Sequence, residues 1–251
     1  MGAARSTFRV LMVLWTAFEG AVLYGAMRLS GRVSPRRRAE WLQGVCSRTV
    51  RRVGVTLLTE GEVPGEGLIV ANHLSYADIL ALSTIVPCAF IAKKEVRKWP
   101  IFGWLAAKGG SLFVDRERKL ETAKFNESID EILRSGLPVV LFAEGTSTNG
   151  SAVLPFRPSL FEPAIGSGAA ITPAWIGYEG SSGSVANDIC YWGDMTLVPH
   201  LFRMFAIRSI TARVRFGSAM REVKDRKQIA EATRNEVVRL GTSTAEAAEV
   251  R

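Results

Sequence analysis

A chain of 251 residues with 47% hydrophobic, 9% aromatic and 22% charged side chains is long and apolar enough for one large domain, and this composition excludes disorder and low complexity. Cys46, Cys88 and Cys190 lie far apart with no C-x-x-C pair, which speaks against a zinc ribbon, an iron–sulfur cluster or a disulfide framework and fits a reducing compartment. The net charge of +8 resides in residues 1–55, where ten arginines face only Glu19 and Glu40, while residues 56–251 hold 22 basic and 22 acidic side chains; a nucleic-acid binder spreads its charge over a folded face instead.

The first predicted element is an apolar run from Phe8 to Leu29, about 33 Å long as a helix and so enough to cross a hydrocarbon core of roughly 30 Å. Seven Leu, Val or Phe between Val10 and Met27 favour insertion by about 2–4 kcal/mol, and Glu19 near the middle opposes it by roughly 3 kcal/mol. The terms nearly cancel, so the run reads as a membrane anchor that either spans or lies in the interface. A signal peptide would need a small-x-small cleavage site, which is not evident, and a buried core helix is the other alternative. The arginines behind the run place it against an anionic membrane and hold residues 28–52 on the cytoplasmic face. Ser34-Pro35 starts a second, basic amphipathic helix that runs to Val53, with Trp41, Leu42, Val45 and Val53 among its arginines. Residues 1–54 are thus expected to be membrane-anchoring helices, residues 55–241 the main domain and residues 242–251 a polar tail.

Apolar runs of strand length follow at 55–59, 67–70, 89–92, 111–114, 138–142, 170–175, 188–192 and 209–216. Helical segments fall at 76–85, 100–108, 119–134, 158–167 and 223–240. Strands interleaved with helices predict an α/β fold, a mixed central sheet with helices on both faces, preceded by the membrane-associated helical segment. No G-x-x-x-x-G-K-[ST], no complete G-x-G-x-x-G and no G-x-S-x-G elbow is present.

His73 and His200 are the only histidines. His73 follows a predicted strand and precedes a predicted helix, the usual address of an α/β active site. Asp78 lies five residues on; within one helix the two side chains would diverge by about 140°, but they meet if His73 is in the loop and Asp78 in the first helical turn. An aspartate on one imidazole nitrogen fixes the tautomer and leaves the other nitrogen as a base. Phe142-Ala143-Glu144-Gly145-Thr146 ends a second strand in a loop whose glycine permits close approach to an anion, and Gly110 to Arg116 ends a third on an arginine suited to phosphate. His200 and the three cysteines read as structural. Trp99, Phe102 and Trp104 form either a membrane-facing edge or a half-buried helix.

These blocks resemble the PlsC-type glycerolipid acyltransferases. Asn72-His73-x4-Asp78 matches the N-H-x4-D block, Gly110 to Arg116 the block ending in arginine, Phe142 to Thr146 the F-P-E-G-T block and Thr172-Pro173 the later proline block, all in order over about residues 67–176. The resemblance implies transfer of a fatty acyl group from a thioester of coenzyme A or acyl carrier protein to a lysolipid hydroxyl such as that of 1-acylglycerol-3-phosphate, with no further cofactor and no metal. It makes His73 the base and Asp78 its orienting partner, and it places Asn72, Arg116, Glu144, Gly145 and Thr146 at the substrate. Two positions depart from the family pattern: Ala143 stands where proline is usual, and Ser147 where arginine is usual. Arg157 is expected to supply the missing charge; otherwise the acceptor is a lyso-aminolipid such as lyso-ornithine lipid. A non-enzymatic membrane- or nucleic-acid-binding module is the reading of a different class, and it has no use for His73 and Asp78.

Overall fold

A computed structural model describes residues 2–31, 33–114, 122–221 and 225–248. Among the described residues seven strands form one sheet: β1 (Val55–Glu60), β2 (Leu68–Ala71), β3 (Ala89–Lys93), β4 (Leu112–Val114), β5 (Val139–Phe142), β6 (Ile171–Gly180) and β7 (Ile210–Phe216), in the order β1-β7-β6-β2-β5-β3-β4. Every described pairing is parallel except β6 with β7, so the sheet is mixed as expected. The central strands β2 and β5 are buried along their whole length, which is why they read as unbroken apolar runs rather than alternating ones.

Side chains on the two faces of the sheet enter different cores. Leu68 and Val70 pack with Leu141, Ile129 of helix α5 (Thr122–Arg134) and Ile229 of α8 (Arg226–Ala248). Ile69 and Ala71 pack with Val140, Ile176, Val214 and Leu82 of α3 (Ala77–Ile85). Helices α4 (Phe102–Gly109), α6 (Glu162–Ser167) and α7 (Leu197–Ala206) complete the domain.

The N-terminal helices α1 (Gly2–Leu29) and α2 (Pro35–Val53) are packed onto this domain rather than set apart from it. Ser34 caps α2 by accepting from the Arg37 N–H at 3.2 Å, and Pro35 occupies the first turn, where no N–H is required. Trp41, Leu42, Val45 and Cys46 of α2 then share a core with Leu105 of α4 and Tyr24 of α1. On α1 the buried positions are Ser6, Arg9, Val13, Thr16, Gly20 and Tyr24, whereas Phe8, Leu11, Trp15, Phe18 and Val22 are exposed. Both sets follow helical spacing, so small and polar residues face the protein and large apolar ones face outward. Arg9 explains the inward polarity: its guanidinium donates to the carbonyls of Phe205, Ile207 and Arg208 at 3.1, 2.6 and 3.0 Å, satisfying groups at the C-terminal end of α7. Glu19, which counts as an isolated charge in the sequence, pairs with both guanidinium nitrogens of Arg52 at 2.7 and 2.9 Å.

Four elements differ from the sequence reading. Residues 188–192 are not a strand; Val185–Ile189 forms a single π turn, because Ser184 and Asp188 bond to nearby backbone N–H groups and outcompete a sheet ladder. Helix α7 was hidden by Pro199, which lies in its first turn and costs no hydrogen bond there. Strand β6 runs to Gly180 rather than Trp175, since β7 pairs with it throughout Ala174–Gly180. Helix α8 continues through Gly241 to Ala248, where a tail was expected; a Cβ at Gly241 would stand 2.6 Å from Nε1 of Trp175, so glycine lets the helix pass the indole.

Candidate active site

The parallel strands β2, β5 and β3 end on one edge of the sheet, and the loops that follow them converge there. The loop after β2 carries His73, and Asp78 lies in the first turn of α3, so the two meet as the spacing allows. Nδ1 of His73 is 2.8 Å from Oδ2 of Asp78. The carboxylate can only accept, so Nδ1 carries the proton and Nε2 is left as a lone-pair base. Oδ2 of Asp78 also accepts from the N–H groups of Leu74 and Ser75 at 2.7 and 3.0 Å, and Oδ1 accepts from the Tyr178 hydroxyl at 2.6 Å. Asp78 is 0% exposed, and the His73 ring stacks on Phe142 at 4.1 Å between centroids. Both ring position and tautomer are therefore determined by contacts.

Two side chains expected at the substrate are hydrogen-bonded to neighbouring backbone. Asn72 donates to the Ile176 carbonyl at 2.9 Å and accepts from the Ile176 N–H at 2.8 Å, so its buried amide ties the His73 loop to β6. Glu144 accepts from the His73 N–H with one oxygen and from the Leu154 N–H with the other, each at 2.7 Å, tying the loop after β2 to two points of the long loop after β5 through one carboxyl. Burial pushes that carboxyl above its ordinary range, while the two N–H donors and nearby His73 act in the opposite direction. Glu144→Ala leaves two N–H groups without their acceptor and should destabilise the fold by about 2–4 kcal/mol, read as a lower unfolding midpoint in detergent. An unchanged midpoint would show that Glu144 is not the tie.

A cavity of about 250 Å³ opens beside His73. Ile79, Phe90, Ile91, Val96 and Phe142 give it an apolar wall, and Lys93, Gly145, Thr146 and Ser147 give it a polar one. Gly145 has φ 78°, a backbone that favours glycine at the turn after β5. Gly145 and Thr146 line the cavity. Arg157 does not: it is exposed, and its N–H is bonded to the Ala143 carbonyl at 3.0 Å. Among the described residues the cation on the cavity wall is Lys93, at the end of β3; its place at a strand terminus was the available signal, and sequence reasoning did not assign it to the site. Arg116 lies outside the described residues. Ser147 donates its hydroxyl to the Tyr191 carbonyl.

His200 is structural, as expected. It is 0% exposed, with Nε2 donating to the Cys190 carbonyl at 2.9 Å and Nδ1 accepting from the Tyr76 hydroxyl at 3.0 Å, and burial pushes its pKa below the ordinary value so that the ring stays neutral. The three cysteines are buried. Among the described residues no group of three or more His, Cys, Asp or Glu is placed to hold a metal ion.

A family model described as Acyltransferase matches residues 52–177. The chain is 36% identical over 184 residues to the lyso-ornithine lipid O-acyltransferase of Brucella abortus, covering 68% of this chain and 69% of that protein. It is 33% identical over 155 residues to the 1-acyl-sn-glycerol-3-phosphate acyltransferase of Neisseria meningitidis serogroup B, covering 62% of this chain but only 60% of that protein's own length. The fold is similar to the crystal structure of the 1-acyl-sn-glycerophosphate acyltransferase PlsC from Thermotoga maritima, with a TM-score of 0.66 at 20% identity over 97% of this chain and 98% of that one.

Proposed function

The chain belongs to the PlsC-type acyltransferase family, and from that footing we propose that it transfers a fatty acyl group from a coenzyme A or acyl carrier protein thioester to the free hydroxyl of 1-acylglycerol-3-phosphate, giving phosphatidic acid. The observation that carries this reading is the pairing of His73 with buried Asp78 at the mouth of a half-apolar cavity. Nε2 of His73 takes the proton of the acceptor hydroxyl as its oxygen attacks the thioester carbonyl. The C–S bond then breaks, the ester is left on the acceptor, and the thiolate leaves with the proton returned by the imidazolium. His73 is the base, Asp78 its orienter, and Lys93 and Arg116 with the Gly145–Thr146 turn are the phosphate contacts. Asn72 and Glu144 serve by holding the loops, and no cofactor or metal enters the scheme.

We place the enzyme on the cytoplasmic face of an anionic membrane, with α1 lying in the interface. The exposed stripe of Phe8, Leu11, Trp15, Phe18 and Val22 supports this, as does the docking of the opposite stripe on α2 and α7. The electrostatic attraction is smaller than a count of arginines suggests. Arg9 and Arg38 donate to backbone carbonyls and Arg48 and Arg52 pair with Glu19, whereas Arg28, Arg37 and Arg51 are exposed.

A lyso-aminolipid acceptor is the second reading. Ser147 stands in place of an arginine with its hydroxyl engaged by Tyr191, and Arg157 does not reach the cavity. The panel that decides between the two presents purified protein with labelled acyl-CoA and both lysolipids, followed by mass spectrometry. Ser147→Arg is expected to leave or raise the rate on lysophosphatidate, by up to about tenfold in KM, because a guanidinium forks onto phosphate. If wild-type protein ignores lysophosphatidate and acylates lyso-ornithine lipid, the second reading replaces the first.

A further inference from the structure

Strand β6 outlasts its neighbour. Its pairing with β2 ends at Ala174 opposite Ala71, yet its pairing with β7 continues to Gly180. The overhang from Trp175 to Gly180 therefore lies alongside the loop that carries His73. It makes two contacts with that loop and with the start of α3: the Ile176 backbone takes both ends of the Asn72 amide, and two residues on, from the same face of the strand, Tyr178 reaches Asp78.

The distribution of donors over the Asp78 carboxylate is uneven. Oδ2 accepts from His73 and from two backbone N–H groups, whereas the partner of Oδ1 among the described residues is the Tyr178 hydroxyl at 2.6 Å, a short charge-assisted bond. An ionised oxygen with no exposure and no donor is costly, and a carboxylate relieves that cost by turning or by taking a proton, either of which moves Oδ2 or its charge away from His73. We propose that Tyr178 is a positioning residue for the acyl transfer: its hydroxyl holds the Asp78 carboxylate in the orientation and ionisation state that keep His73 a base. The inference rests on the roles given above to His73 and Asp78.

The other ionisable groups around the pair do not substitute for it. Glu144 faces His73 from the loop after β5, and its oxygens are held by backbone N–H groups; Tyr76 is bonded to His200. Burial pushes the Cys190 thiol up to about 12, and burial, then the Asp78 charge, pushes the Tyr178 phenol well above its ordinary value, so the phenol remains a donor at neutral pH.

The test uses the full chain in mixed micelles with palmitoyl-CoA and whichever of lysophosphatidate and lyso-ornithine lipid the wild type acylates. Tyr178→Phe keeps the ring and removes the donor. It should lower kcat by about ten- to a hundredfold, the scale of one hydrogen bond to a charged group, and leave both KM values within about twofold. Losing the donor makes the Asp78 carboxylate easier to protonate, and a protonated Asp78 no longer keeps His73 a base, so the acid limb of the pH–rate profile should move up by about half to one pH unit. Replacing Tyr178 with 3-fluorotyrosine, a stronger donor of nearly the same shape, should move that limb down. In an Asp78→Asn background, Tyr178→Phe should cost less than about twofold further, because its target is gone. An unchanged rate and profile, or equal losses in both backgrounds, would overturn the inference, the second because packing alone produces it. His73→Ala in the same assay separates the two readings. If it is inactive while Tyr178→Phe matches wild type, only the role of Tyr178 fails; if His73→Ala keeps its rate, the base assignment fails and Tyr178 with it. Should Tyr178→Phe not fold, the fluorotyrosine protein decides: no downward shift overturns the proposal.

Discussion

His73→Ala should lower turnover by about 10²–10⁴-fold while the protein stays folded, because it deletes the proposed base. The side chain is half-buried, stacked on Phe142 and bonded to Asp78, and it belongs to none of the five hydrophobic clusters among the described residues. Loss of folding is therefore not the expected route to inactivity, and circular dichroism checks that separately. Asp78→Asn should approach the same loss for a different reason. His73, Leu74 and Ser75 all face Oδ2, so the amide either keeps its oxygen there, uncharged, with its nitrogen toward Tyr178, or turns its nitrogen there, against two N–H donors, where donation to Nδ1 moves the ring proton to Nε2; either way the imidazolium loses its carboxylate. Initial rates of ester formation by mass spectrometry measure both. Near-normal turnover in either variant would remove the dyad from the mechanism.

Substituting Phe8, Trp15 and Phe18 by serine together should release the protein from anionic vesicles without unfolding it. The three side chains are 56, 52 and 60% exposed, so their contacts with the domain are minor. Withdrawing them from an interface should cost about 3 kcal/mol in total, roughly a hundredfold in partitioning, given about 1.5–3 kcal/mol for each fully buried side chain and only part of each inserted. Flotation with phosphatidylglycerol-containing vesicles measures it; unchanged flotation would move the membrane contact to another face. Deleting residues 1–54 is a different experiment. It strips Trp41, Leu42 and Val45 from a core shared with α4 and removes Arg9 from the end of α7, so it should yield aggregated protein rather than a soluble domain.

Much of this protein was legible as a sequence, and the reason is locality. The alternation of apolar runs and helical segments placed seven of the eight expected strands, because buried parallel strands need unbroken apolar stretches wherever they lie in the chain. The meeting of His73 and Asp78 was legible too, since loop and helix start are neighbours five residues apart and their geometry depends on little else. The roles of Asn72 and Glu144 were not. The same residues occur at a substrate or at a loop junction, and only the position of Ile176, 104 residues away, and of Leu154 decides that their polar atoms are already satisfied. Tyr178 was invisible for a related reason: β6 reaches it only because β7, much later in the chain, extends the pairing to Gly180. The orientation of α1 was likewise beyond the sequence. Its apolar length allowed a span or an interfacial helix, and Glu19 counted against insertion. Arg52 neutralises Glu19 from α2, while Arg9 finds carbonyls almost two hundred residues away, so tertiary partners turned the polar stripe inward and left the apolar one outward. Periodicity and adjacent motifs are local and survive in a sequence; the satisfaction of a buried polar group depends on distant backbone, which only the folded chain supplies.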